Sequence, residues 1–171
     1  ELLVADDLFD SYKDIFPGIR KDIEGKNVAK FLQKISQEGK KPITSFILAG
    51  HGGRSSKDGN AFTINSLSRL EKKPSFSRAQ QKKGPVRCWF SVVATVMFSG
   101  CSSSSFAKQF AREFMRKGTT VAGTNQPIGT FFDSLKGPQI VYGYSDDPKT
   151  QDLKEDDYYS SKVWEKFNGN L

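Results

Sequence analysis

Two stretches decide how this chain folds: Ile43-Thr44-Ser45-Phe46-Ile47-Leu48-Ala49-Gly50-His51-Gly52-Gly53 and Ser91-Val92-Val93-Ala94-Thr95-Val96-Met97-Phe98-Ser99-Gly100-Cys101-Ser102. Each opens on a short apolar run closed by glycine, and Pro42 precedes the first. Runs of that length between turn residues read as strands covered on both faces, the usual condition of a parallel sheet.

Working outward, residues Asn27 to Ser36 place Val28, Phe31, Leu32 and Ile35 on one helical stripe, with Gly39 beyond as a stop. Ser66 to Lys73 reads as a short helix. From Ser103 to Lys117 the signal is stronger. Phe106, Phe110 and Phe114 recur four apart with Ala107, Ala111 and Met115 beside them, Lys108, Arg112, Glu113 and Arg116 take the other face, and Gly118 ends the pattern. Thr119 to Ala122 and Gln139 to Tyr144 are shorter strand candidates, and Leu2 to Ala5 is the one strand candidate ahead of the first helix. Strands alternating with helices imply crossover connections. The expected fold is therefore an α/β three-layer sandwich, with a mostly parallel sheet and helices on both faces.

A chain of 171 residues with 36% apolar and 12% aromatic content is long and apolar enough for one core, so a single domain over residues 1–171 is expected. Residues 1–26 read as an N-terminal extension, 72–85 as a basic loop and 146–171 as a polar C-terminal tail. No apolar run approaches the ~18 residues of a membrane span. The first residues lack the basic start and apolar stretch of a signal peptide, and no initiator Met is present, so the chain reads as a soluble domain excised from a longer protein. Two cysteines, Cys88 and Cys101, make no disulfide framework, and a single histidine without a paired CxxC spacing argues against a metal site.

The net charge of +7 is concentrated. Between Arg54 and Arg87 stand nine basic residues and two acids, which equals the whole excess. The segment is a solvated loop or a surface for a polyanion: nucleic acid, acidic lipid or an inositol phosphate. Nucleic acid is disfavoured, because no RNA-binding motif, zinc finger or basic helix with heptads accompanies the charge.

Ligands of open parallel sheets bind outside the carboxyl ends of the strands. The only histidine and one of the two cysteines follow the two strongest strands at just that position. Cys101 precedes a helix N-terminus, a favourable place for a thiolate, and His51 could take and return its proton. The amides of Gly52 and Cys101 could face a developing oxyanion. Taken singly, a cysteine at a strand end is ordinarily a small packed residue and a histidine in a glycine-rich loop is ordinarily exposed. Their joint placement favours catalysis. Cys88, beside Trp89 and Phe90, reads as packing. A lipase-type site lacks its G-x-S-x-G elbow. A phosphate loop lacks GxxxxGK[ST], and a dinucleotide site lacks GxGxxG.

The pattern Phe46-Ile47-Leu48-Ala49-Gly50-His51-Gly52-Gly53, then Val96-Met97-Phe98-Ser99-Gly100-Cys101-Ser102, resembles the caspase-like cysteine peptidases. With Phe106-Ala107 opening the next helix it is most similar to the self-processing cysteine peptidase domains of bacterial toxins, over roughly Ile43 to Tyr144. The Gln-Ala-Cys-x-Gly form of true caspases is not present. The resemblance implies caspase-like topology, His51 as base, Cys101 as nucleophile, and an oxyanion hole from the Gly52 and Cys101 amides. It also implies a thioester intermediate and no cofactor for the chemistry. The chain after the strand that follows the nucleophile's helix would shape the substrate pocket, which assigns Thr124 and Asn125 to substrate binding. No charged side chain stands there, so an Arg, Lys or Asp preference at P1 is not indicated. Inositol hexakisphosphate is the implied activator, with Arg54, Lys57, Lys72, Lys73, Lys82 and Lys83 as the polyanion-binding candidates. Implied partners are a protein or peptide substrate, the chain itself included, with action in the cytosol, or in a host cytosol for a toxin or effector domain. Asp6 or Asp7 either orients the histidine or belongs to a solvated N-terminus. The family also contains inactive members, so a non-catalytic binding module using the basic segment is the alternative.

Overall fold

The computed structural model describes residues 2–5, 20–22, 41–49 and 90–170. They form two sheets and one α-helix. The strands are β1 (Leu2–Ala5), β2 (Arg20–Asp22), β3 (Ile43–Ala49), β4 (Phe90–Ser99), β5 (Thr120–Thr124), β6 (Ile128–Asp133), β7 (Gly137–Tyr142), β8 (Lys154–Asp157) and β9 (Trp164–Asn168), and the helix α1 is Ser104–Phe114. The main sheet has the order β2-β1-β3-β4-β5-β9. Its first five strands are parallel, and β9 runs antiparallel to β5 at the far edge.

Alternation along β3 and β4 builds a core on each side of this sheet. Phe46, Leu48, Val96 and Phe98 face α1, joined by Phe106, Phe110, Phe114 and Val121. Phe98 meets Phe106 and Phe110 edge-on, with ring centroids 4.9 and 5.0 Å away. Such aromatic pairs add to the burial of area. Ile47, Ala49, Met97 and Ala122 face the other way, onto Ile140, Tyr158, Val163 and Trp164. That second layer includes the antiparallel sheet β6-β7-β8. Helices on both faces were expected; among the described residues one face carries α1 and the other carries a sheet. The expected helices at residues 27–36 and 66–73, and the basic loop at 72–85, lie outside the described residues.

The structure corrects the reading of both chain ends. The segment taken as an N-terminal extension contributes β1 and β2. β1 lies between β2 and β3 in the sheet. Residues 146–157 are largely at the surface, but the remainder of the expected polar tail is structural. Tyr158, Val163 and Trp164 are buried, and β9 completes the sheet. Leu2–Ala5 matches the expected strand, whereas β2 and β9 arise through pairing with β1 and β5, because runs of three and five residues that are mostly polar or charged carry too little pattern to announce a strand.

Two smaller differences have local causes. Val92 and Val93 are exposed although they sit in an apolar run. The β3–β4 register jumps from Ile43↔Phe90 to Ser45↔Thr95, so β4 bulges away over that stretch. The helix ends at Phe114, before Gly118. Met115 is already extended, and the chain turns into β5 through Gly118 at φ +94°, where a Cβ would meet the Val92 carbonyl oxygen at 2.7 Å. Among the described residues no helix is long and apolar enough to cross a membrane.

Candidate functional site

β3 and β4 are parallel neighbours whose last residues, Ala49 and Ser99, are register partners. Beyond Ser99 the chain turns sharply. The Gly100 amide donates to the Phe98 carbonyl at 3.1 Å, and Ser102 adopts a left-handed conformation at φ 54°. A non-glycine residue holds that conformation at a cost of roughly 1 kcal/mol or more, and only where its surroundings enforce it. Cys101 occupies the apex of this elbow. Its thiol is free and half-buried.

The start of β6 lies against the thiol. The Ile128 amide donates to Cys101 Sγ at 3.4 Å, and Sγ donates to the Ile128 carbonyl at 3.6 Å. Sulfur hydrogen bonds are weak, and these two orient the side chain of a partly buried residue. The Ser102 amide donates to the Gln126 carbonyl at 3.2 Å, so the β5–β6 loop is bound to the elbow at two points. Gln126 Oε1 accepts from the Gly143 amide at 3.1 Å, which ties the same loop to the end of β7.

Underneath, the elbow is held by hydroxyls. Ser103 Oγ donates to the Phe98 carbonyl at 2.7 Å and accepts from the Thr124 amide at 2.9 Å. Thr124 Oγ1 donates to the Gly100 carbonyl. Ser103 and Thr124 are both fully buried, at 0% exposure. Thr124 was expected to bind substrate; its hydroxyl instead points into the protein, bonded to the residue before Cys101. Asn125 is exposed, its amide donating to the Val163 carbonyl at 3.4 Å and its Oδ1 accepting from Gln126 Nε2 at 3.3 Å.

His51, Gly52 and Cys88 lie outside the described residues, as do Asp6, Asp7 and the basic residues Arg54, Lys57, Lys72, Lys73, Lys82 and Lys83. Among the described residues no group of three or more His, Cys, Asp or Glu is arranged to hold a metal ion.

Sequence reasoning placed Gln126 in the segment that follows β5 but missed Ile128 and the role of Ser103. Ile128 acts through its backbone, which leaves no residue-type signature. Ser103 was hidden in a run of four serines. Comparison with protein-family models, with curated proteins and with solved structures returns no match.

Proposed function

We propose that this chain is a cysteine endopeptidase of caspase-like topology, with Cys101 as nucleophile and His51 as base. The observation that carries the reading is the register of Ala49 with Ser99 on adjacent parallel strands. His51 and Cys101 each stand two residues past those partners. Consecutive Cα atoms are ~3.8 Å apart, so neither residue can lie more than about 7.6 Å from its strand end. Neighbouring strands are separated by only ~4.8 Å. Chain connectivity therefore supports a placement of His51 and Cys101 near the same end of the sheet. The partly buried, disulfide-free Cys101 at the strand end is compatible with a nucleophile.

In the proposed reaction His51 takes the thiol proton as Sγ attacks the scissile carbonyl carbon. The oxyanion is met by the amides of Gly52 and Cys101. The Ser102 amide is committed to Gln126, which leaves Cys101 as the donor from this elbow. Collapse breaks the C–N bond, and His51 passes its proton to the departing amine, leaving a thioester on Cys101. Water then attacks the thioester while His51 takes its proton. The carboxylate product leaves, and the thiol is restored. Substrate would be a peptide segment, the chain's own included. Activation by inositol hexakisphosphate through Arg54, Lys57, Lys72, Lys73, Lys82 and Lys83 belongs to the same proposal, and rests on their concentrated positive charge.

Cysteine labelling tests the reading. Iodoacetamide should modify Cys101 well before Cys88, and His51→Ala should slow that modification by about 10²-fold, the scale of general-base assistance. Equal labelling of the two thiols, or indifference to His51, would favour a non-catalytic binding module. Incubation with and without inositol hexakisphosphate, followed on a gel, should give fragments that Cys101→Ala does not.

A further inference from the structure

We infer that Ser103 and Thr124 are positioning residues, a buried hydroxyl clasp that fixes the direction of the Cys101 thiol; the inference deepens the peptidase reading and rests on it. Three hydrogen bonds to the backbone compose the clasp, and the two hydroxyl oxygens themselves lie 3.5 Å apart. Ser103 Oγ takes the carbonyl of Phe98, near the end of β4, and receives the amide of Thr124, at the end of β5. Thr124 Oγ1 takes the carbonyl of Gly100, the residue just before the thiol. The clasp therefore pins the elbow on both sides of Cys101 and ties it to the next strand. Both side chains are fully buried, so water cannot replace these bonds when one is removed.

Three separate features show that local preference yields to this arrangement. Ser103 occupies the N-cap of α1, where a serine hydroxyl ordinarily accepts from a backbone amide of the first turn. It forms no such side-chain cap, its hydroxyl being engaged at the strand end instead. Ser102, between the thiol and the clasp, is held left-handed. β5 carries glycine at 123, where a Cβ would lie 2.6 Å from the Ser103 carbonyl oxygen and 2.9 Å from Ala107 Cβ. Only a glycine lets the strand approach the helix entrance this closely. A forgone cap, a left-handed serine and a missing side chain all converge on the six residues from Phe98 to Ser103 that carry the nucleophile. Local rules broken together at one place mark a site held in shape for a purpose.

The test uses the full chain and two readouts, Cys101 alkylation by iodoacetamide and hydrogen exchange of the Gly100–Ser103 amides. Thr124→Val keeps the shape and deletes the hydroxyl, and Thr124→Ser restores it. In Thr124→Val the elbow amides should exchange at least ~10-fold faster while those in the middle of α1 are unchanged. Cys101 should label about 10-fold more slowly, and the further effect of His51→Ala should shrink from about 10²-fold to about 10-fold. Thr124→Ser should stay within about threefold of the parent on both readouts. Parent-like exchange and labelling in Thr124→Val would overturn the inference, as would a Thr124→Ser chain as impaired as Thr124→Val. If His51→Ala in the parent leaves labelling unchanged, the peptidase reading falls, and the exchange comparison still decides the clasp. Should Thr124→Val fail to fold, Ser103→Ala removes the shared oxygen of the clasp and carries the same measurements.

Discussion

Ala49 and Ser99 face each other at the carboxyl ends of two adjacent parallel strands, β3 and β4. The proposed function rests on that pairing. It brings the chain segments that continue into Gly50-His51-Gly52 and Gly100-Cys101-Ser102 to one edge of the sheet. Hydrogen bonds from Ser103, Thr124 and the β5–β6 loop hold the second segment in a turn with Ser102 left-handed.

Gly123→Ala should destabilise the protein by about 1–3 kcal/mol, the usual cost of forcing a methyl into a packed core. The new Cβ would press on the Ser103 carbonyl oxygen at 2.6 Å and on Ala107 at 2.9 Å. One is backbone and the other belongs to a helix packed against β5, so neither can give way cheaply. Urea unfolding measures it, and a change below ~0.5 kcal/mol, the range of neutral surface substitutions, would contradict the close approach.

Trp164 should behave as a core residue. Its indole nitrogen donates to the Tyr158 carbonyl at 2.6 Å, and its ring meets that of Tyr158 edge-on at 5.5 Å. Trp164→Ala should cost about 3–5 kcal/mol, as for other large buried aromatics. A chain ended at Asp157 should lose cooperative thermal unfolding, because β9 and the buried residues before it would be gone. Unchanged cooperativity in the shortened chain would contradict the assignment of this segment to the fold.

Acid should loosen the β6–β7 turn. The Asp133 carboxylate accepts from the amides of Lys136 and Leu135, each at 2.8 Å, and these bonds, the Lys136 amide first, hold its pKa below the ordinary carboxyl range. A depressed folded value means stability that is present above the unfolded pKa of about 3.9 and is lost as pH falls through the folded value. NMR titration of Asp133 should give a midpoint below that of an unstructured peptide, and Asp133→Asn should remove its share of the acid dependence. An unshifted midpoint would contradict the turn geometry.

Much of the central layer was legible before any coordinates. Ile43–Ala49 was read with the boundaries the structure has, because a continuous apolar run between Pro42 and Gly50 leaves few alternatives. The phenylalanine stripe announced α1 for the same reason. The periphery was not legible. Arg20–Asp22 is a charged tripeptide that becomes a strand only because β1 lies beside it. Trp164–Asn168 is polar at most positions and is a strand because β5 presents an open edge. At the candidate site, Cys101 could be singled out by its place after a strand. Thr124 was noticed, but its bond to the Gly100 carbonyl just past β4 was not legible, since a sequence cannot say whether a hydroxyl faces a substrate or a backbone carbonyl on another strand.

The most direct test of the account is an experimental structure that includes residues 50–53, and the quantity to read is the separation of Cys101 Sγ from the nearer imidazole nitrogen of His51. The account predicts direct contact at about 3–3.5 Å or a gap of about 5–7 Å spanned by one water or by the substrate's leaving nitrogen. A separation beyond roughly 10 Å, with the ring turned away from the elbow, would contradict it, because no single proton transfer crosses that distance.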